Sequence, residues 1–528
     1  MDYNNITTVQ GRYEQCEAVR ENYLDRARES SKLTLPTLIP PSSASASTKY
    51  PTPFQGIGAR GVNNLASKLL LSLVPPNAPF FRLKMDDFVI KDLEAEGDEA
   101  LKSSIEEGLS AIERAIMTDI EINADRVAIN EALKHLIIAG NVLLYVAEEG
   151  IRVFPLSRYV CKRDPNGNVL EIITKESISP KVLPVEVQQA ILDKLNENDK
   201  EIDLFTYVCR KKDKYEIYQE AKGIQIPKTY GTFPLDKSPY IPLRFNRVDG
   251  SDYGRGYVEE YYGDLKSLEG LTRAIVEGSA AASKVLFLVA PNSTTRAKKL
   301  GESPNGAIIE GSANDVSTLQ VNKFADFRIA YDTMNRIEGR LQYAFLMNAS
   351  IQRDAERVTS TEIKFMAEDL EQALGGIYSI LSQEFQLPYV MRKMAMMEKN
   401  KKLPKLPKSS IRPSIVTGLE ALGRGNDKNK LISFLTTINN TLGVEAATKY
   451  INVTDAISRL ATSEGIDPKG LVRSEDELQA EAEAQAQEQQ QQQIQDMAMQ
   501  AGSKVAGNIP PQSLGAALQE AQNITEGN

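Results

Sequence analysis

Two long helical patterns bracket a β-textured insert in the middle of this chain, and that order narrows the possible architectures more than any other feature. Across Gly256–Ser283, the residues Val258, Tyr262, Leu265, Leu268 and Ile275 fall on one side. From about Ala325 to Asn348, Phe327, Ala330, Met334, Ile337, Leu341 and Ala344 alternate by three and four positions, a sustained heptad-like seam. Between the two, Val285–Ala290, Ala307–Glu310 and Val316–Val321 read as short strands, separated by Pro291, Gly301, Pro304 and Gly311. A polar interruption, Gln352–Val358, comes next. Thr359 with Glu362 then forms a capping box that starts a third helix, from Ser360 to about Lys399. Long helices that each carry an apolar seam need neighbours.

The flanking regions are simpler. Val9–Ser31 reads as a polar helix, and Leu35–Pro53 as a Pro/Ser-rich crossing without regular period. Leu65, Leu69 and Leu73 mark a helix over about Ala59–Leu73, stopped by Pro75, Pro76 and Pro79. A further helix is expected around Leu101–Ile122, with Ile105, Leu109, Ile112 and Ile116 on one face, and another over Asp125–Ala139 before a β-like run, Asn141–Val146. Arg152–Pro242 has strand texture. Asp164-Pro165-Asn166-Gly167 is a turn between two β-prone runs, and Asp203–Cys209 and Tyr215–Gln219 flank a basic hairpin tip. After Asn400, a Lys/Pro linker leads to a small helical region, about Val416–Gly465. Ser474–Gln500 is rich in Ala, Glu and Gln and has almost no apolar face. It is either a helix completed by copies of itself or disordered.

Composition sets the limits of function. With 528 residues the chain suits about three or four domains or one elaborate subunit. A hydrophobic fraction of 41% supports a large core. The net charge of −9 argues against a tight nucleic-acid grip, which needs many Lys/Arg–phosphate contacts. Cys16, Cys161 and Cys209 lie far apart, with no CxxC pair, so a reducing cytoplasm and no disulfide framework are expected. The opening residues lack a basic region followed by an apolar run, so no signal peptide is expected. The longest apolar stretch, His135–Ala147, is broken by Gly140 and Asn141 and is too short to span a membrane.

No cluster of catalytic residue types emerges, so neither an enzyme nor a metal or cofactor site is expected. Gly56–Gly61 fits GxGxxG, but Pro51 and Pro53 stand where the dinucleotide fingerprint needs a strand, and a tight turn into a helix is the plainer reading. There is no P-loop motif. His135 is the single histidine and sits in an apolar run, so it reads as a core or interface residue. Glu259, Glu260 and Asp264 cluster at a helix start, where acidic side chains suit the helix dipole. Lys399, Lys401, Lys402, Lys405 and Lys408 read as a solvated linker.

Particular words then become specific. TPFQGIGARGVNNLASKLLLSL at Thr52–Leu73, AGNVLLY at Ala139–Tyr145 and YGRGYVEEYYGDLKSLE at Tyr253–Glu269 resemble the portal, or head-to-tail connector, proteins of short-tailed podovirus-type bacteriophages. ERVTSTEI at Glu356–Ile363, GGIYSILSQEFQLP at Gly375–Pro388 and TGLEALGRG at Thr417–Gly425 continue the likeness, which runs over roughly Met1–Gly470. The resemblance implies an α+β, mainly helical portal fold with a wing, a two-helix stem, a β-containing clip and a helical crown, forming a ring. On this chain it implies a wing at 1–250, stem helices at 251–283 and 325–349, a clip at 284–324 and a tunnel loop at 350–359. A long wing helix at 360–400, a crown at 401–473 and a C-terminal barrel helix or disordered tail at 474–528 complete the division.

The same resemblance implies a virion protein at a unique capsid vertex, assembled in the host cytoplasm as a homo-oligomeric, twelve-fold ring. Double-stranded DNA would pass through it during packaging and ejection. A terminase packaging motor, and later tail adaptor proteins, would dock on it, alongside major capsid and scaffold proteins, with no membrane partner. Gln352, Arg353, Asp354, Glu356 and Arg357 fall on the tunnel loop, where two cations can touch phosphates and two carboxylates keep those contacts from accumulating. Arg296, Lys298 and Lys299 lie in the clip, on what reads as a Gly/Pro-bounded loop suited to motor or tail docking. Met334, Ile337 and Leu341 are expected to make subunit or stem packing. A nucleic-acid-processing packaging enzyme, or another virion structural protein such as a coat or internal ejection protein, is the competing reading.

Overall fold

The structure, a computed structural model, describes residues 8–44, 47–76, 79–84, 99–191, 200–282, 286–319, 324–347, 370–403 apart from 371 and 375, 414–417, 424–443 and isolated positions between 451 and 471. It is mixed helix and strand and divides into two units, Met1–Gly423 and Arg424–Asn528.

In the first unit, helix α1 (Val9–Lys32) starts where the Thr8 hydroxyl accepts from the Gly11 N–H at 3.2 Å, which satisfies one of the amides a first turn leaves unpaired. Helix α2 (Ile57–Leu73) buries Val62, Leu65, Ala66, Leu69 and Leu73. After β1 (Phe81–Lys84), helix α3 (Glu99–Ile122) buries its Ile105, Leu109, Ile112 and Ile116 face, and α4 (Asp125–Ala139) ends at Gly140 in the left-handed region. Strands β2 (Asn141–Ala147), β3 (Gly150–Pro155) and the later β10 (Tyr240–Arg244) form one antiparallel sheet in the order β10-β2-β3.

A larger antiparallel sheet contains β4 (Tyr159–Arg163), β5 (Val169–Ile178), β6 (Ile202–Lys211), β7 (Lys214–Ala221), β8 (Ile224–Gln225) and β9 (Gly231–Pro234). Helix α5 (Val185–Ile191) interrupts it between β5 and β6. The expected turn joins β4 to β5: Asp164 Oδ1 accepts from the Asn168 N–H at 2.8 Å, and Gly167 takes φ +85°. Helix α1 is pinned to this sheet at two points. Glu220 Oε1 accepts from the Val9 N–H at 2.9 Å, and the Arg12 guanidinium meets Glu171 at 2.8 Å.

Helix α6 (Tyr257–Glu260) and α7 (Tyr262–Ala282) follow, then β11 (Leu286–Val289), α8 (Ala297–Glu302), β12 (Val316–Leu319) and α9 (Phe324–Ala344). β11 and β12 pair antiparallel, Leu286 opposite Leu319 through Val289 opposite Val316. Two expectations for this insert are corrected. Ala307–Glu310 forms no strand, lying between turn glycines with Ile308 fully exposed, so no buried face rewards its β-prone side chains. Lys298 and Lys299 stand on the short helix α8, with Arg296 at its N-cap, where a loop was expected.

The described part of the third long helix is not continuous. Helix α10 (Ile377–Leu381) runs into a π-helical turn, Ser382–Gln386, before α11 (Leu387–Lys399). Pro388 explains the wider turn: it brings no N–H and its ring crowds the carbonyl four residues back. Strand β13 (Ser414–Thr417) pairs with β1, Ser414 opposite Lys84, where helix was expected from about Val416. In the second unit, helix α12 spans Arg424–Leu442.

Candidate functional site

The features that could suggest chemistry separate into structural roles. Gly56 caps α2 without a preceding strand; residues 47–55 form none. A Cβ on Gly58 would lie 2.4 Å from the Leu33 carbonyl oxygen, and one on Gly61 would lie 2.5 Å from the Phe345 ring, so these glycines allow close packing. Glu259 faces Arg26 at 3.3 Å, Glu260 accepts from Asn246 at 2.7 Å, and Asp264 meets Arg340 at 2.9 Å. The three carboxylates thus serve three separate contacts. Among the described residues, no group of three or more His, Cys, Asp or Glu could hold a metal, and no helix is long and apolar enough to cross a membrane. Lys399 and Lys402 pair within the chain with Glu148 and Asp119.

His135 is 3% exposed on α4 and its Nδ1 has no hydrogen-bond partner. Burial lowers its pKa to about 4, so the folded chain holds it neutral. As pH falls through 6.5 the unfolded chain takes up this proton and the folded chain does not. The His135 contribution is therefore complete above about pH 6.5 and is lost progressively towards pH 4. The expected loss by pH 5 is about 2 kcal/mol, from about 1.4 kcal/mol per pH unit. Urea titrations at pH 7 and pH 5 should show a smaller drop for His135→Leu than for the parent chain by that amount; equal drops would refute it.

The long helices form an antiparallel pair. Asp264 near the start of α7 meets Arg340 near the end of α9, while Gly278 near the end of α7 faces Phe327 near the start of α9. The seam of α9 points into the chain itself: Ile337 and Leu341 are buried, and Met334 packs partly buried against the same core. Changing Leu341 to Asp thus strikes the fold of one subunit before any contact between subunits. Other apolar side chains of the pair are exposed, among them Val276 at 50%, Ile329 at 67% and Tyr343 at 73%, as are Phe287 and Leu288 on β11. Exposed apolar side chains in this number suit a surface that another chain covers.

The insert between the helices is tied together by Asp315. Its Oδ2 accepts from the Thr294 N–H and hydroxyl at 3.1 Å each, and from the Thr295 hydroxyl at 3.1 Å. Arg296, Lys298 and Lys299 follow directly, all exposed; Lys298 lies 4.0 Å from Glu302. The structure therefore gathers these three cations on one short, anchored element. Gln352, Arg353, Asp354, Glu356 and Arg357, and the Thr359–Glu362 cap, lie outside the described residues.

Sequence reasoning missed a junction that joins two of the recognised words. Asn141 Nδ2 donates to the Gly254 carbonyl at 2.8 Å, and its Oδ1 accepts from the Gly254 N–H at 2.8 Å. Gly140 has φ +72°, and a Cβ there would lie 2.2 Å from the Arg255 carbonyl carbon. AGNVLLY and YGRGYVEEYY are thus locked together by the Asn141 side chain and by the close approach of the Gly140 and Arg255 backbones, just before α6. The glycines in both words were the available signal.

The sequence model of the family described as "Bacteriophage head to tail connecting protein" matches residues 7–472. The chain belongs to that family. It is 42% identical over 477 residues to the portal protein of Escherichia phage T7, covering 88% of each chain. To the portal protein of Enterobacteria phage T3 it is 41% identical, covering 89% of this chain and 88% of that one. To that of Enterobacteria phage SP6 it is 32% identical, covering 80% and 81%. The neck of an empty GTA particle aligns with 78% of this connector-family chain and 91% of its own at 10% identity, with a TM-score of 0.33, too low to bear on the fold.

Proposed function

We propose that this chain is a phage portal subunit, acting at one capsid vertex as a ring through which genomic DNA is packaged and ejected. Family membership across residues 7–472, with portal proteins of short-tailed phages as relatives over most of both chains, carries this reading. The apolar side chains exposed on the helix pair support the ring, because head-to-tail contacts between identical subunits close into a cycle when their rotation closes. In this reading α7 and α9 are the stem, residues 284–324 the clip, and the remainder is divided as wing, tunnel loop, crown and tail. Its role is that of a conduit, not an enzyme. Arg296, Lys298 and Lys299 present three exposed cations for the packaging motor and then tail proteins. Electron microscopy of the purified protein tests the core of the proposal: rings with a central hole support it, and compact particles without one overturn it.

The polar segment Gln352–Arg357 is assigned to brief DNA contact in the bore. Changing Asp354 and Glu356 to Gln should tighten DNA association of assembled rings at low salt and steepen its salt dependence, since fewer carboxylates then oppose Arg353 and Arg357. Filter binding across a salt series measures this. An unchanged slope would remove the segment from the DNA path.

A further inference from the structure

Helix α2 fastens the chain on both sides of residues 348–369. On the approach side, α9 ends at Ala344 and Leu346 takes a φ of 51°, so the carbonyls of Phe345 and Leu346 leave the helical ladder. Asn64 Nδ2 donates to both, at 2.9 Å and 3.0 Å, and Lys68 Nζ donates to the Leu346 carbonyl at 2.8 Å. Gly61, one turn earlier, leaves the space that the Phe345 ring occupies. On the departure side, the Tyr378 hydroxyl donates to the Ser72 carbonyl at 3.1 Å, and Gln386 Nε2 donates to the Leu73 carbonyl at 2.7 Å. Tyr378, on α10, and Gln386, the last residue of the π-helical turn, are both fully buried.

Asn64, Lys68 and Ser72 recur every four residues and so form one stripe along α2. Asn64 and Lys68 supply side-chain donors to the end of α9, and the carbonyls of Ser72 and Leu73 at the end of α2 receive donors from α10 and the π turn. The carbonyls at the end of a helix need partners, and those partners fix the direction in which the chain leaves. One helix therefore holds the chain on both sides of that segment. Helix α2 thus connects the end of α9 to the chain after residue 369 by a second route, besides the segment itself.

We propose that α2 is the mount of segment 348–369, with Asn64 and Lys68 as positioning residues at its approach and Tyr378 and Gln386 at its departure. The consequence for DNA passage rests on assigning Gln352–Arg357 to DNA contact. The mount itself is testable without that assignment, because Arg353, Arg357 and Lys364 are trypsin sites inside the segment.

The test is limited trypsinolysis of the full-length assembled protein, followed by mass spectrometry. Asn64→Ala/Lys68→Met, and separately Tyr378→Phe/Gln386→Met, should raise the initial cleavage rate at Arg353 and Arg357 about ten-fold, because local opening becomes cheaper by several hydrogen bonds. Cleavage at the distant, exposed Lys298 and Lys299 should not change. Asn64→Ala alone, the variant to use if the double one assembles poorly, should give a smaller rise, and Lys68→Arg alone, which keeps the donor, should keep the parent rate. An unchanged rate at Arg353 and Arg357, or an equal rise at Lys298 and Lys299, overturns the mount. DNA packaging by the same variants separates the two ideas. Faster local cleavage with unchanged packaging keeps the mount and removes the DNA-contact assignment; lost packaging with unchanged cleavage removes the mount.

Discussion

A Lys393→Met subunit is expected to unfold at a far lower urea concentration than the parent chain. Lys393, on α11, is 0% exposed, and its ammonium lies 2.7 Å from Asp125 Oδ2 and 2.9 Å from Asp119 Oδ2. Asp125 begins α4 and is itself fully buried, so the pair ties α11 to α4 while Asp119 adds the end of α3. The Tyr389 hydroxyl donates to the same Asp125 oxygen at 2.6 Å. Burial, then the charge of Asp125, pushes the Tyr389 pKa well above its ordinary value, so the phenol remains a donor at neutral pH. Asp125 Oδ1 has no protein partner. Removing the ammonium would leave a buried carboxylate with one phenol for company. Breaking such a pair costs about 3–5 kcal/mol, against a total stability of about 5–15 kcal/mol.

The double variant Lys393→Met/Asp125→Asn distinguishes a lost attraction from a stranded charge. Asparagine still accepts from Tyr389, and Asp119 keeps Lys402 at 3.4 Å and Asn123 at 3.0 Å. More than half of the lost stability should return, read from urea midpoints of the three proteins. A single variant as stable as the parent, or a double variant no better than the single, would refute this account.

The legibility of this chain followed its periodicity. The seam of α9 and the Leu65, Leu69, Leu73 stripe of α2 could be read directly, because a buried helix face must repeat every three to four residues. The two hairpins were legible through Asp164–Gly167 and the basic tip at Arg210–Lys214. What could not be read was pairing across long separations. β1 and β13 are brief, and nothing within Phe81–Lys84 announces a partner beyond residue 400. The direction of the α9 seam was equally silent, since a stripe of Met334, Ile337 and Leu341 suits a neighbouring subunit as well as α7. Ion networks such as Lys393 with Asp119 and Asp125 combine residues over 260 positions apart, and a lone lysine in a sequence reads as solvated.

The direction of that seam yields the second large effect, a contrast between two faces of one helix. Ile329 and Tyr343 lie fourteen residues apart on α9, about 21 Å along its axis and close to the same face, and both are mostly exposed. Leu341 on the opposing side is 0% exposed. Ile329→Asp and Tyr343→Lys both alter exposed positions, and the lysine falls in the last turn, where its sign suits the helix dipole, so the subunit fold should change by no more than about 0.5 kcal/mol. If these positions are covered by the next subunit, the combined variant buries two charges at every contact of the ring, and each contact loses several kcal/mol. Rings should disappear from micrographs while circular dichroism and the melting temperature of the free subunit match the parent. Leu341→Asp should do the reverse in order, losing soluble folded subunit first, because it puts a carboxylate at a position that is 0% exposed. Normal rings from the Ile329/Tyr343 variant would show that this face of α9 meets solvent in the assembly. A folded, ring-competent Leu341→Asp would show that the seam does not hold α7 and α9 together.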